Sequence, residues 1–449
     1  MHALKILILV AFIIRLALPI ASFLVSPSYE NFYIHMDSDQ YIQLAKQIVN
    51  NGDFSFQTEP ELFRTPGYPV LIIPGVLIGY VEWITIILQA FLSCATIFLI
   101  YKISLQLFKN SSAAFAAALL YAIEPLSVLY CSRIMSETLF SFLVCLFIYL
   151  IIRYFKDGSK LHLYLASLPF IAAIYTRPVL YYFQYVLAAV FLFWIIINWQ
   201  DRKKHLLIFC SFIIIIFLLT SVWIVRNGIM TGYWKFSSTV DITLYFYKTP
   251  AVLAAKQHRS LNEVQDELVK HYLSLPPLKT WTVVQKYQYM RNEGLKVIMN
   301  NPFLYLKTHV KGFFRILFDP SIKDYMNLFQ FKGLGSGYFG APLDMHYFSN
   351  IMSHARKEPA SFLWFLILGM LLITHYLFTI ISISSRKFQW DLSIVLIFIL
   401  LAYLIFLSAG ELGIARYRHP VMPFLSIIAA FSIQRFMHYF SRRKNLTNE

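Results

Sequence analysis

LLIFCSFIIIIFLLTSVWIV, residues 206–225, runs twenty residues without a charge, and Arg202-Lys203-Lys204-His205 stands immediately before it. A helix rises about 1.5 Å per residue, so such a run reaches across the roughly 30 Å hydrocarbon core of a bilayer. Working outward from it, nine further stretches read the same way. The ten expected spans are 5–25, 83–107, 112–130, 137–155, 161–177, 179–198, 206–225, 361–384, 391–409 and 420–438. The fold class is therefore an all-α polytopic membrane protein. Composition agrees, since 58% of residues are hydrophobic and only 14% charged, against about a quarter charged in soluble domains.

The formal net charge of +16 would suggest nucleic acid in a soluble chain. Here the basic residues sit at the ends of apolar runs, which excludes that reading in favour of positive-inside loops and anionic lipid. Lys109, then Arg153, Lys156 and Lys160, then Arg202 to His205, then Arg386 and Lys387, then Arg442 to Lys444 mark every second connection. Those connections are expected in the cytoplasm, with both termini. The first run is read as a retained span, because no small-residue cleavage site follows it. Three of the four cysteines (Cys94, Cys145 and Cys210) fall in expected spans and Cys131 lies near an outer loop, so no disulfide framework follows.

Two long segments then lie outside, 26–82 and 226–360. The organisation read from this is 1–225, a transmembrane module carrying the first outer loop; 226–360, an extracytoplasmic segment; and 361–449, the last spans and a cytoplasmic tail. Residues 39–50 and 66–80 read as helices at the interface, 261–272 and 287–299 as helices of the outer segment, and 302–318 as a basic amphipathic helix on the membrane surface.

Chemistry-bearing residues gather on that outer face. Asp37 and Asp39, in HMDSDQY at 35–41, are carboxylates just past the first span. Each reads as a helix cap or as a proton acceptor, and on residue chemistry alone the cap is the simpler reading. Arg64, in RTPGYP at 64–69, is a guanidinium on the side where topology does not call for one; it would clamp a phosphate or snorkel to headgroups. Tyr68 follows in the same run. Glu124, Arg133 and Glu137 fall at the outer ends of the third and fourth spans. The two glutamates are the carboxylates that would order a substrate or take a divalent cation, while Glu137 also reads as a helix cap paired with Arg133. Arg177, Arg226, and Arg416 and Arg418 with His419 in ARYRHP, add outer cations whose excess points to a buried anion. The glycines at 333, 335, 337 and 340 lack the Lys-Ser/Thr of a nucleotide-binding loop, and the sequon at Asn445 lies on the cytoplasmic tail.

In order, DSxxY at 37–41, NGDF at 51–54, RTPGYP at 64–69, MSETLF at 135–140, YTRP at 175–178, VWIVRN at 222–227, NNPFLYLK at 300–307 and ARYRHPVMP at 415–423 resemble the GT-C glycosyltransferases. The subgroup resembled holds the protein O-mannosyltransferases and the lipid A aminoarabinose transferase. The resemblance implies a GT-C-type helix bundle with juxtamembrane helices, and a polyprenyl-phosphate sugar donor. It also implies transfer with inversion to an extracytoplasmic hydroxyl of a glycolipid, polysaccharide or protein, at the inner (plasma) membrane. Carried over by position, it places the base at Asp37, Arg64 near the donor phosphate, and Glu137, with Glu124, in the region of the second acidic motif. Read from their own chemistry, Arg416 and Arg418 are further donor-phosphate contacts, and Asp39, Tyr68, Glu124, Arg133, Glu137, Arg177 and His419 order the substrate or a metal. Phe63 and Ser38 stand where relatives carry acidic residues, which leaves no metal assigned; Glu137 or Glu124 would hold a divalent cation. Competing functions are a flippase for lipid-linked glycans and a ligase or polymerase using a lipid-diphosphate donor.

Overall fold

The computed structural model describes residues 2–56, 59–197, 202–330, 356, 359–410 and 413–446. It is an all-α bundle, with a single two-stranded antiparallel hairpin among the described residues, Ser55–Phe56 against Glu59–Pro60. The helices are α1 His2–Val25, α2 His35–Asn51, α3 Gly67–Ile78, α4 Val81–Phe108, α5 Ser111–Ala122, α6 Pro125–Leu129, α7 Glu137–Asp157, α8 Lys160–Thr176, α9 Phe183–Ile197 and α10 Arg202–Thr231. They continue with α11 Thr239–Thr243, α12 Thr249–Gln257, α13 Leu261–Ser274, α14 Val283–Asn300, α15 Pro302–Phe318, α16 Ile322–Leu328, α17 Pro359–Ile383, α18 Leu392–Ser408 and α19 Met422–Leu446.

All ten expected spans are helical over their described residues, but not all are alike. Six described helices are long and apolar enough to cross a membrane: His2–Val25, Val81–Phe108, Glu137–Asp157, Pro178–Ile197, His205–Thr231 and Phe362–Ile383. Residues 112–130, expected as one span, are the pair Ser111–Ala122 and Pro125–Ser132, bent by 57°. Both α8 and α18 have 17 residues, about 25 Å of helix, short of the hydrocarbon thickness. The last helix carries Gln434, Arg435 and His438 and is not among the six.

The bend has a chemical cause. Pro125 has no N–H to give to the carbonyl of Tyr121, four residues back. Ser127 Oγ donates to that oxygen at 2.9 Å, and Arg15 of α1 donates to the carbonyl of Ala122 at 3.1 Å. Arg15 also donates to Ser93 Oγ of α4 at 2.7 Å and to Ser127 Oγ at 3.0 Å. A fully buried guanidinium in the first span is thus satisfied by the polar groups that the broken helix frees.

The two long connections pack on one another. Arg226, at the end of α10, donates to the carbonyls of Phe54 (2.5 Å) and Glu61 (2.8 Å), and its guanidinium lies over the Trp223 ring. The N–H of Ser238 donates to the carbonyl of Leu62. Beyond it, Asp241 of α11 is fully buried and takes both Nε and Nη2 of Arg291 on α14, at 2.7 and 2.8 Å. The helices expected at 261–272, 287–299 and 302–318 are α13, α14 and α15; α14 opens with a capping box between Thr282 and Gln285. On α15, Phe303, Leu306, Val310 and Phe314 form an exposed apolar stripe. The glycine-rich stretch at 333–340 and Thr447 of the sequon lie outside the described residues.

Candidate active site

Helix α2 begins at His35, two residues ahead of Asp37, and no side chain caps it. The capping role that residue chemistry favours for Asp37 is therefore not the one taken. Ser38 is turned inward, its hydroxyl accepting from the N–H of Ile34 (2.8 Å) and donating to the carbonyl of Ile134 (3.0 Å). Asp37 is left projecting from the first turn. The helix stops at Gly52, whose φ of 69° is the left-handed conformation that Asn51-Gly52 signals.

Arg64 reaches Asp37 because Glu61 bends the chain. Glu61 Oε1 accepts from the N–H groups of Phe63 (2.5 Å) and Arg64 (2.8 Å). The Arg64 guanidinium then donates through Nη2 to Asp37 Oδ1 and through Nε to Gln40 Oε1 at 3.1 Å, with Tyr41 and Phe63 rings against it. Just beyond, Gly67 meets the backbone of Tyr175 so closely that a Cβ would lie 2.7 Å from its carbonyl carbon. That contact sets the start of α3 against the end of α8, where Arg177 sits.

The other oxygen of Asp37 belongs to Arg416, in the 3-10 turn Ala415–Val421. Its Nη1 donates to Asp37 Oδ2 at 3.0 Å, and its Nε lies 3.0 Å from Glu137 Oε1. Arg177 donates to the same Glu137 oxygen at 2.5 Å. Tyr417 stacks against both cations, 5.3 Å from Arg416 and 5.6 Å from Arg177. Five charges thus alternate: Arg64, Asp37, Arg416, Glu137, Arg177. Three cations against two anions leave a surplus of one positive charge. Glu137 is sealed (0% exposed), whereas Asp37 keeps 29% of its side chain open, so the chain runs from a closed end to an open one.

Burial works against ionisation of Asp37, but the Arg64 and Arg416 charges outweigh it and hold the carboxyl below its usual range. Tyr247, in a π-helical turn between α11 and α12, is a residue that sequence reasoning missed. Burial raises its hydroxyl above the usual range, and Asp37 and Tyr417 raise it further, so it lies within the field of the same carboxylate. Such turns shift the register by one residue, have no sequence signature and recur at functional sites.

The remaining candidates are placed elsewhere. Glu137 pairs with Arg177 and Arg416, and the expected pairing with Arg133 is not made. Arg133 is spent on backbone, donating to the carbonyls of Asn31, Tyr33 and Asp324. Arg418, two residues from Arg416 on a tight turn, faces away; it donates to the carbonyls of Ile316, Leu317 and Asp319. Glu124 caps α6, accepting from the N–H groups of Leu126 (3.1 Å) and Ser127 (2.6 Å). With Arg418 and His375 it lines a separate small pocket, with room for about one water molecule. Asp39 is exposed on another face of α2. Tyr68 is buried beneath Tyr41 and donates to Gln89 at 2.9 Å. His419 lies 2.8 Å from Ser141 Oγ; its burial pushes the imidazole down to about 3, so it is neutral at physiological pH. Among the described residues no three His, Cys, Asp or Glu side chains gather as a metal would need.

Residues 64–225, roughly a third of the chain, match the family described as dolichyl-phosphate-mannose-protein mannosyltransferase. The match takes in Arg64, Glu137 and Arg177. No curated protein matches by sequence. Among solved structures, the chain is similar to the archaeal oligosaccharyltransferase AglB from Archaeoglobus fulgidus, solved with an inhibitory peptide and a dolichol-phosphate. That likeness has 11% identity and a TM-score of 0.48, over 100% of this chain and 52% of that one. It is similar also to ArnT from Cupriavidus metallidurans in the apo state, at 11% identity and a TM-score of 0.35, over 93% and 76%. The chain thus spans about half the length of the first. Over residues 64–225 the chain is thus similar to the dolichyl-phosphate-mannose-protein mannosyltransferase family, and its several long apolar helices are those of a multi-pass membrane protein.

Proposed function

We propose that the protein transfers a monosaccharide from a polyprenyl-phosphate donor to an acceptor hydroxyl, with inversion, on the extracytoplasmic face of the plasma membrane. The observation that carries this reading is Asp37 held between Arg64 and Arg416 in a charged chain with one surplus positive charge. A sugar phosphodiester carries one negative charge, so that surplus matches a monophosphate-linked donor better than a diphosphate-linked one.

The chemistry follows from the charges. The acceptor oxygen attacks the anomeric carbon and its proton passes to Asp37. The bond from that carbon to the phosphate oxygen breaks, and the electron pair leaves with the polyprenyl phosphate. As the phosphate gains its second charge, Asp37 loses its own, so the arginine charge is available where the transition state needs it. Arg64 and Arg416 contact the phosphate; Glu137 and Arg177 hold Arg416 in place. Glu137 already has two guanidiniums beside it, which supply the positive charge a divalent cation would bring.

Both termini and the basic connections lie in the cytoplasm in this reading, and residues 26–82 and 226–360 lie outside, with the stripe of α15 against the lipid. The acceptor is a hydroxyl of a glycolipid, polysaccharide or protein. Offering one sugar on mono- and diphosphate polyprenyl carriers tests the reading. Consumption of the monophosphate donor with inverted product is expected; turnover of the diphosphate donor alone would replace it with a ligase or polymerase.

A further inference from the structure

Both oxygens of Asp37 are taken, Oδ1 by Arg64 and Oδ2 by Arg416. A carboxylate in that state is a poor base, because each guanidinium stabilises its ionised form. The two arginines are not equally committed. Arg416 is fastened on its far side by Glu137, which is sealed and also holds Arg177. Arg64 is steadied by neutral groups, Gln40 and the rings of Tyr41 and Phe63, so it keeps its place without Asp37. Each can therefore turn from Asp37 to another anion while remaining anchored.

Resting on the donor reading above, we propose that Asp37 is a base masked by Arg64 and Arg416, and that the phosphate of an arriving donor unmasks it by taking both arginines as its own partners. The donor must then be seated before the acceptor is activated. Its negative charge also raises the basicity of Asp37 at the moment the base is needed. An empty site holds a quenched carboxylate, which limits activation of water.

The test is phosphate binding by the full-length protein in nanodiscs, with undecaprenyl phosphate as the probe. Wild type is compared with Asp37→Asn, and with Glu263→Gln, which removes an equal charge from an exposed position on α13. Masking predicts that Asp37→Asn binds at least about tenfold more tightly, because the two charge-assisted hydrogen bonds of Asp37 give way to the weaker, neutral one that an amide oxygen can accept, while Glu263→Gln binds like wild type. Equal or weaker binding by Asp37→Asn overturns the masking and leaves the donor reading standing. Failure of every protein to bind overturns both. If Asp37→Asn does not fold, the pH profile of wild type decides. The charged or titratable groups acting on Asp37 are Arg64, Arg416 and Tyr247; both arginines and the Tyr247 hydroxyl are held above their usual ranges, so none titrates with Asp37 on the acid side. The acid limb of kcat should then lie above that of kcat/KM for the donor, since the first reports the donor complex and the second the free enzyme; coincident limbs overturn the masking.

Discussion

Replacing Arg64 and Arg416 in turn by glutamine should separate binding from stability. Each replacement removes one charge-assisted contact to the donor phosphate, worth about 1.5–3 kcal/mol, or roughly a 10- to 150-fold loss in kcat/KM for the donor. Their effects on folding differ. Arg64 has one carboxylate partner, which is 29% exposed and keeps Arg416, so its loss is screened and costs about 1 kcal/mol or less. Arg416 lies between two carboxylates, one of them sealed. Its removal leaves Glu137 with Arg177 as its ion-pair partner among the described residues, so it costs more than the loss of Arg64 but less than the roughly 3–5 kcal/mol of a buried charge left wholly unpaired. Initial rates against donor concentration, with thermal unfolding in the same detergent, measure both. Donor kinetics within twofold of wild type for both variants, or Arg64→Gln as the less stable of the two, would refute the reasoning.

Three further outcomes are expected. Gly67→Ala places a Cβ 2.7 Å from the Tyr175 carbonyl carbon and should cost about 1–3 kcal/mol, with a lower melting temperature and a slower rate as α3 shifts. Arg418→Gln should lower the melting temperature, because three backbone carbonyls lose their donor, while the folded protein keeps its donor KM; a raised KM would place Arg418 at the phosphate after all. Because the pKa of Asp37 is depressed in the folded protein, its stabilising contribution is complete above the unfolded value of about 3.9 and is lost as pH falls through the lower folded value. Arg64→Gln weakens that depression, so the acid limb of kcat/KM should move upward; an unmoved limb would show that Arg64 does not act on Asp37.

Much of this was legible because membrane spans announce themselves by apolar length. The helices expected at 261–272, 287–299 and 302–318 were equally visible from their periodicity and stops, although α14 starts a turn earlier, at the capping box of Thr282 and Gln285. The separate roles of Asp37 and Arg64 were implied by resemblance, but their pairing was not, and residue chemistry alone favoured a cap for Asp37. What decides is where the helix starts, and a one-turn difference in start lies within the reach of its neighbours' packing. Arg416 and Arg418 read as equivalents in ARYRHP, yet a 3-10 turn sends their side chains to different partners. Arg133 stands near Glu137 in sequence but serves carbonyls of the first loop and α16, whose proximity is a tertiary fact. Tyr247 comes within the electrostatic reach of Asp37 from a π-helical turn, which no spacing rule foretells.

The most direct measurement is donor turnover by wild type and Asp37→Asn reconstituted in liposomes. Radiolabelled polyprenyl-phosphate sugars would be offered with an envelope extract as the source of acceptor, and label leaving the lipid followed. The account predicts transfer by wild type and none above background by a folded Asp37→Asn. Full activity in that variant, or no consumption of any monophosphate donor by folded wild type, would contradict it.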